Sequence, residues 1–289
     1  MAGCRLSIAR TLLLKTGDWR LETGDWSPPI TLPAMRVTVC ELPAEIDDLS
    51  DSWDRLVEHT HRQRPDVVLL PEMPFHPWLA ATRKVDPARW KAAVESHDRW
   101  QQRFGDLRAA TVLGSRPTLV RGKRLNEAFV WKSGECTGGH QKYYLPDEDG
   151  FWEATWYQRG KKEFTVAASD AGPVGFLICT EVWFTEHARE YGRQGATLLA
   201  TPRATEWSSR DKWLAGGRTA SVMAGAFGLS SNRSGTDATG LRWGGLGWVI
   251  DPDGEVLAKT SEGSPFATVE IDPAVAARAK KTYPRYVAD

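Results

Sequence analysis

Three polar residues at the ends of apolar segments have side chains that could act together in acyl transfer. Glu72 ends the run VVLLPE, Lys142 lies in HQKYYLP, and Cys179 ends the run FLIC. A thiolate is a strong nucleophile, a partly desolvated carboxylate suits a general base, and an ammonium group can hold a developing oxyanion. Each residue also has an ordinary structural interpretation: a core cysteine, a surface or capping glutamate, and a solvated lysine.

The segments around these residues alternate between strand-like and helix-like patterns, which predicts a single α/β domain with sheet layers covered by helices. Strand ends are where such folds build sites, because the sheet holds the adjoining loops rigidly. The predicted strands cover 36–40, 66–70, 110–114, 128–131, 176–179, 197–200, 246–250 and 256–259, and the predicted helices cover 49–57, 87–104, 185–194 and 211–227.

Composition narrows the class of protein further. The chain has 289 residues, 41% of them hydrophobic, which is enough for one large α/β domain with a sizeable core. Lys plus Arg equals Asp plus Glu, 37 each, so neither a nucleic acid nor an anionic membrane is expected as a partner. The four cysteines stand at wide, uneven spacings, which indicates free thiols in a reducing compartment. With no apolar run of about 20 residues and no clear signal peptide, the sequence predicts a cytoplasmic protein.

The first 34 residues differ in pattern from the rest. They repeat TGDW at 16–19 and 23–26, and a proline-bearing SPPI follows. Two copies of four residues do not make a repeat fold. We expect residues 1–34 to form a poorly ordered leader and residues 35–289 to form the domain.

The three motifs follow one another in a fixed order and have recognisable flanks. LLPE contains Glu72, HQKYYL contains Lys142, and ICTEVWF contains Cys179 with an acidic residue two positions later. The flanking segments LNEAF, GATLL and GWVIDPDG add to the pattern. From Met35 to about Glu270 the chain thus resembles the nitrilase, or carbon–nitrogen hydrolase, superfamily.

The resemblance implies an α-β-β-α sandwich, usually dimerised, and a hydrolase of non-peptide carbon–nitrogen bonds that uses no cofactor and no metal. Glu72 would be the general base, and Cys179 the nucleophile that forms a thioester. Lys142 and the backbone N–H of Thr180 would hold the oxyanion. The partner implied is a small-molecule substrate.

Several neighbouring residues are further candidates. Many members of the superfamily have a second glutamate between the lysine and the cysteine, and Glu153 is the candidate here, with Glu148 as the competing choice. Trp152 could line a small apolar pocket or belong to the core. Arg203 could pair with a substrate carboxylate or with a structural acid.

The residue after the cysteine bears on the substrate. Nitrile-acting members often have tryptophan there, whereas this chain has Thr180. That difference and the compact matched region favour a small amide or carbamoyl compound over a nitrile. Members acting on carbamoyl amino acids tend to have arginine just after the cysteine motif, where this chain has Val182, Trp183 and Phe184, so the pattern does not favour that branch.

Three alternatives stay open at this level. A papain-like hydrolase would need a histidine far downstream of Cys179, yet the last histidine, His187, is only eight residues away. An acyltransferase on the same fold would let an amine intercept the thioester. A non-catalytic, tryptophan-rich binding protein would have no need of the glutamate, lysine and cysteine together.

Overall fold

The computed structural model describes residues 33–287 of the chain. The leader predicted for residues 1–34 lies outside these residues, apart from the exposed Pro33 and Ala34. No helix in the described part is long and apolar enough to cross a membrane. The strands are β1 (Met35–Pro43), β2 (Val67–Glu72), β3 (Thr111–Val120), β4 (Lys123–Lys132), β5 (Glu135–Gln141), β6 (Asp147–Glu148), β7 (Phe151–Trp152), β8 (Val174–Phe176), β9 (Leu198–Pro202), β10 (Phe227–Thr236), β11 (Arg242–Gly244), β12 (Trp248–Ile250), β13 (Val256–Lys259) and β14 (Phe266–Ile271). The α-helices are α1 (Leu49–Gln63), α2 (Pro87–Gln101), α3 (Glu153–Trp156), α4 (Thr185–Arg193), α5 (Arg210–Ala224) and α6 (Pro273–Ala279).

Two sheets form the middle layers of the fold. In the first, β2 pairs in parallel with β1 and β3, β4 and β5 continue the sheet in antiparallel fashion, and β14 pairs with β1. In the second, β8, β9 and β10 are parallel, and β12 and β13 extend them in antiparallel fashion. The sheets are joined where residues 41–43 of β1 pair with β10.

Strand β2 shows how the apolar run builds the layers. All six of its residues are buried, and successive side chains of a strand point to opposite faces. Val67 and Leu69 belong to the core between the sheets, together with Phe176 of β8. Val68 and Leu70 belong to the core beneath α1. A strand buried on both faces therefore reads as a continuous apolar run in the sequence.

Helices cover the outer face of each sheet. On α1, Leu49, Trp53 and Leu56 are buried at helical spacing and pack on the first sheet. On the other side, Ala188 of α4 and Ala220 of α5 pack on the second sheet. The layers run helix, sheet, sheet, helix, so the predicted α-β-β-α sandwich in a single domain is confirmed.

Several predicted boundaries were wrong. The strand predicted for 176–179 lies at 174–176 as β8, because the chain turns at Cys179, with φ 49°, into a short 3-10 helix. Two further errors have equally local reasons. The helix predicted for 211–227 ends at Ala224, because Gly225 adopts a left-handed conformation with φ 58°. The strand predicted for 128–131 spans ten residues as β4, because the turn at Arg121 and Gly122 closes a long hairpin with β3. The first half of β4 is polar, so a prediction based on apolar runs did not include it.

Candidate active site

Four elements bring the candidate residues together on one side of the sheets. Glu72 is the last residue of β2, and Lys142 follows β5 directly. Glu153 begins α3, and Cys179 begins a short 3-10 helix, Cys179–Trp183, after β8. All four side chains are buried, with at most 3% of each residue exposed. The strand ends thus deliver groups from distant parts of the sequence to one enclosed site.

Lys142 lies between two carboxylates. Its Nζ donates to Glu72 Oε1 at 2.9 Å and to Glu153 Oε2 at 2.6 Å. Burial by itself lowers the pKa of Lys142, but Glu153 and Glu72 outweigh burial and raise that pKa above its usual value. The ammonium group therefore stays charged. Since an ammonium has three donors and two of them are taken by these carboxylates, a third remains for a further acceptor.

Glu72 has one engaged and one open carboxylate oxygen. Asn126 Nδ2 donates to Oε1 at 2.7 Å, beside the bond from Lys142. The other oxygen, Oε2, is buried without a hydrogen-bond partner among residues 33–287. A buried acceptor without a partner is costly, and such groups concentrate where function requires them. Oε2 is therefore free to accept a proton.

The environment of Cys179 holds its thiol in the neutral form. Burial raises the pKa of the thiol, Glu72 and Glu153 raise it further, and Lys142 lowers it by less than the others raise it. The Sγ atom lies 4.0 Å from the carbonyl oxygen of Ala204. A thiol that stays protonated at rest needs a base at the moment of attack, and Glu72 is one of the groups that influence it electrostatically.

The backbone of Cys179 adopts a conformation that side chains rarely take. Its φ is 49°, in the left-handed region, at the turn between β8 and the 3-10 helix. This conformation costs a non-glycine residue on the order of 1–3 kcal/mol and persists where the surroundings enforce it. A sharp strand-to-helix turn of this kind presents a nucleophile at its apex.

Another buried carboxylate, that of Glu181, holds the cysteine and lysine segments in place. Glu181 Oε2 accepts from the backbone N–H of Ile178 at 2.9 Å, and Oε1 accepts from that of Tyr143 at 2.8 Å. His140 Nε2 lies 2.9 Å from Oε2. Glu181 thus ties the residue before Cys179 to the residue after Lys142. The sequence showed Glu181 only as the acidic member of a motif, and its partners 38 and 41 residues away were not visible in the sequence.

A cavity of about 240 Å³ opens beside Cys179. Thr180, the residue predicted to supply an oxyanion N–H, lines this cavity next to Cys179. Its other walls are aromatic, polar and charged. The lining residues are Pro146, Glu148, Phe151, Glu153, Cys179, Thr180, Trp183, Ala204, Thr205, Glu206, Ser209, Lys212 and Trp213.

The two candidate second glutamates occupy different positions. Glu153 is buried against Lys142, and Glu148 is exposed on the wall of the cavity. Burial raises the pKa of Glu153 to about 7, Lys142 opposes the rise, and Glu72 adds to it. Glu153 is therefore the acid that contacts Lys142, while Glu148 is placed to meet a ligand.

The two residues predicted to bind substrate are engaged elsewhere. The ring of Trp152 lies under the guanidinium of Arg83 at 3.9 Å, and its neighbour Phe151 lines the cavity instead. The fully buried Arg203 donates to Ser230 Oγ at 2.7 Å, to Thr205, and to the backbone of the 245–246 turn. These contacts support structural roles, and substrate contacts for Trp152 and Arg203 stay predictions.

Comparisons with known proteins bear on the family of this chain. The family model "Carbon-nitrogen hydrolase" matches residues 36–281. A deaminated glutathione amidase of Synechocystis is 28% identical over 232 residues, covering 76% of this chain and 84% of the relative. An N-carbamoylputrescine amidase of Arabidopsis thaliana is 24% identical over 244 residues, covering 75% and 80%.

Solved structures share the fold. A carbon-nitrogen hydrolase from Helicobacter pylori G27 superposes with a TM-score of 0.78 at 20% identity, covering 87% of this chain and 94% of the other. A mutant amidase from Nesterenkonia sp. AN1, with the acetamide moiety of fluoroacetamide added to its active-site cysteine, gives a TM-score of 0.69 at 20% identity, covering 87% and 94%. The sandwich and the family match over most of its length show that this chain belongs to the carbon-nitrogen hydrolase family.

Proposed function

We propose that this protein hydrolyses a small amide or carbamoyl compound through a thioester on Cys179, releasing ammonia or an amine. The observation that carries the proposal is the buried ammonium of Lys142, which lies 2.9 Å from Glu72 and 2.6 Å from Glu153 near the thiol. A neutral nucleophile, a base with an open oxygen and a fixed cation are the three parts that acyl transfer needs.

In the first half-reaction, Glu72 Oε2 takes the thiol proton while Sγ of Cys179 attacks the carbonyl carbon. The free donor of Lys142 and the N–H of Thr180 hold the oxygen that becomes negative. Glu72 then gives its proton to the leaving nitrogen, the carbon–nitrogen bond breaks, and a thioester remains.

In the second half-reaction, Glu72 removes a proton from a water molecule that attacks the thioester carbon. The same two donors hold the second oxyanion, and the thiolate leaves and recovers a proton. Glu153 acts by orienting Lys142, since its carboxylate lies on the ammonium at 2.6 Å. We call it a positioning residue for this reason.

An amide or carbamoyl substrate is supported by the relatives as well as by Thr180. The Synechocystis and Arabidopsis proteins both carry amidase names. A nitrile remains the alternative substrate class, and an acyltransferase would use the same thioester. The predicted homodimer and cytoplasmic location rest on the family resemblance and on composition.

The proposal is tested by intact-protein mass spectrometry after incubation with small amides, carbamoyl compounds and nitriles. In Glu72→Gln, Cys179 should still attack the substrate slowly, but no carboxylate is left to activate water. We therefore expect an acyl adduct on Cys179, and its mass identifies the acyl group. Cys179→Ala should show no adduct and a turnover at least about 10³-fold lower.

Normal turnover by Cys179→Ala, with unchanged unfolding by circular dichroism, would refute the nucleophile assignment. Transfer of the acyl group to an added amine in place of water would identify an acyltransferase. Cys136→Ala is the matched control, because this half-buried thiol does not line the cavity beside Cys179.

A further inference from the structure

The cavity beside Cys179 has three charged wall residues that the chemistry described above does not use. Glu148 lies on β6 and is exposed, Glu206 is half-buried, and Lys212 is exposed in the first turn of α5. Within residues 33–287, none of the three has an oppositely charged side chain within ion-pair distance. Two of the three are carboxylates and one is an ammonium, so the unpaired charge on the wall is negative in excess; Arg210 and Arg242 lie on the ring of the neighbouring Trp207.

Glu206 is held in a defined position. Its Oε1 accepts a hydrogen bond from Ser208, and the residue pairs with Trp243 in an isolated β-bridge. A carboxylate that is fixed before a ligand arrives loses little conformational entropy on binding. Glu206 is therefore suited to recognise a cationic group.

Aromatic rings complete the same wall. Phe151, Trp183 and Trp213 line the cavity, and the rings of Trp183 and Trp213 lie 5.2 Å apart between centroids. Trp183 is 45% exposed, which is unusual for so large an apolar side chain. Indole faces attract alkylammonium groups through their quadrupole, so these rings and the two carboxylates favour the same kind of ligand.

We propose that the preferred substrate carries an ammonium group at the end remote from its scissile amide or carbamoyl group. This inference rests on the proposed function and adds the charge of the substrate to it. The scissile carbon sits at Cys179, the aliphatic chain crosses the aromatic wall, and the ammonium lies near Glu148 and Glu206. A tail that ends only in a carboxylate meets two like charges and a single Lys212.

Labelling of Cys179 tests the inference without knowledge of the natural substrate. The probes are 2-chloroacetamides whose N-butyl tails end in an ammonium, a methyl or a carboxylate group. Cys179 Sγ forms a bond to the CH₂ carbon, the carbon–chlorine bond breaks, and chloride leaves with the thiol proton passing to Glu72. Peptide mass spectrometry gives the second-order rate at Cys179, which is divided by the rate of each probe with 2-mercaptoethanol.

We expect the ammonium probe to label Cys179 about fivefold faster than the methyl probe, and the carboxylate probe to be the slowest. One exposed carboxylate, Glu148, and one half-buried carboxylate, Glu206, support a factor of this size. Glu148→Gln combined with Glu206→Gln should remove the preference for the ammonium probe over the methyl probe, and added NaCl should reduce that preference in the unmodified protein. Glu135→Gln, a change of the same kind on an exposed residue outside the cavity, should leave the ratios unchanged.

Equal rates for the three probes, or a preference that survives the double substitution, would overturn the ammonium assignment and leave the hydrolase proposal standing. The hydrolase proposal fails separately, if amide turnover persists in Cys179→Ala. Lys212→Met should slow labelling by the carboxylate probe further and should not slow labelling by the ammonium probe; a slower ammonium probe would contradict the assignment.

Discussion

Two buried carboxylate centres lie side by side in this molecule and differ in how completely their polar atoms are satisfied. The Lys142 cluster consists of Glu72, Lys142, Glu153 and Cys179. The Glu181 brace consists of Glu181 with its partners His140, Tyr143 and Ile178. Glu181 is fully buried, as is Glu72, and each is anchored at the end of a strand or beside it.

In the brace, both oxygens of Glu181 accept hydrogen bonds, two of them from backbone N–H groups. In the cluster, Glu72 Oε2 and the nearby Asn126 Oδ1 are buried without a partner among the described residues, and the pKa of Glu153 is raised to about 7. The satisfied centre fixes the backbone, whereas the other keeps an acceptor open for a proton in transit. The cost of that open acceptor is offset by the surrounding core and by the brace.

The largest effect is expected when the cation of the Lys142 cluster is removed. Lys142→Met leaves Glu72 and Glu153 facing each other without a counter-charge. We expect kcat/KM to fall at least about 100-fold, and the free energy of unfolding to fall by about 3–5 kcal/mol. Steady-state kinetics and urea unfolding measure the two effects.

Lys161→Met is the matched control, because Lys161 is exposed and its ion pair with Glu163 is long at 3.7 Å. Near-normal kcat/KM in Lys142→Met would show that this ammonium does not stabilise the transition state. It would also remove the main distinction between the cluster and the brace.

The next largest effect is expected when the Glu181 brace loses hydrogen bonds, so that it has buried polar atoms without partners, as the Lys142 cluster has. Glu181→Gln keeps the shape of the side chain but replaces one carboxylate oxygen by an NH₂ group. That NH₂ group then faces an N–H donor that now donates to the carboxylate. We expect a loss of about 3–5 kcal/mol in the free energy of unfolding. We also expect kcat to fall more than KM rises, because Cys179 and Lys142 lose their alignment while the cavity wall is intact.

Glu186→Gln, on the exposed side of α4, should change neither quantity. If Glu181→Gln lowered stability and left kcat unchanged, the brace would support the fold alone. Its role in positioning the reacting groups would then be wrong.

The smallest effect is expected from pH, which changes the free energy of unfolding through the raised pKa of Glu153 in the Lys142 cluster. The pKa of Glu153 is about 7 in the folded protein against a usual 4.5, so its contribution to stability is complete below pH 4.5 and is lost as pH rises through 7. Relative to Glu153→Gln, the unmodified protein should therefore lose up to about 3 kcal/mol of unfolding free energy between pH 4.5 and 7. Urea unfolding across that range measures the difference, and parallel pH curves for the two proteins would contradict it.

The two centres also show which features of the site could be predicted from the sequence and which could not. The family motifs around Glu72, Lys142 and Cys179 were visible, because each is a short run of neighbouring residues in the sequence. The competing glutamates Glu148 and Glu153 could not be separated, since both lie in one polar segment. Only the fold shows that one of them is buried on Lys142 and the other lines the cavity.

The sequence by itself predicted the alternation of strands and helices, the single α/β domain and the family resemblance, but it did not predict β5, β14 or α6. Those features depend on apolar periodicity and on short motifs, which act over a few residues. The tertiary structure decided which partners meet: Glu181 with a backbone N–H 38 residues away, Arg203 with the 245–246 turn, and Phe151 rather than Trp152 on the cavity wall. Such pairings depend on strand register and on the alternation of side chains across a strand, and a change of one residue in register would exchange the two faces.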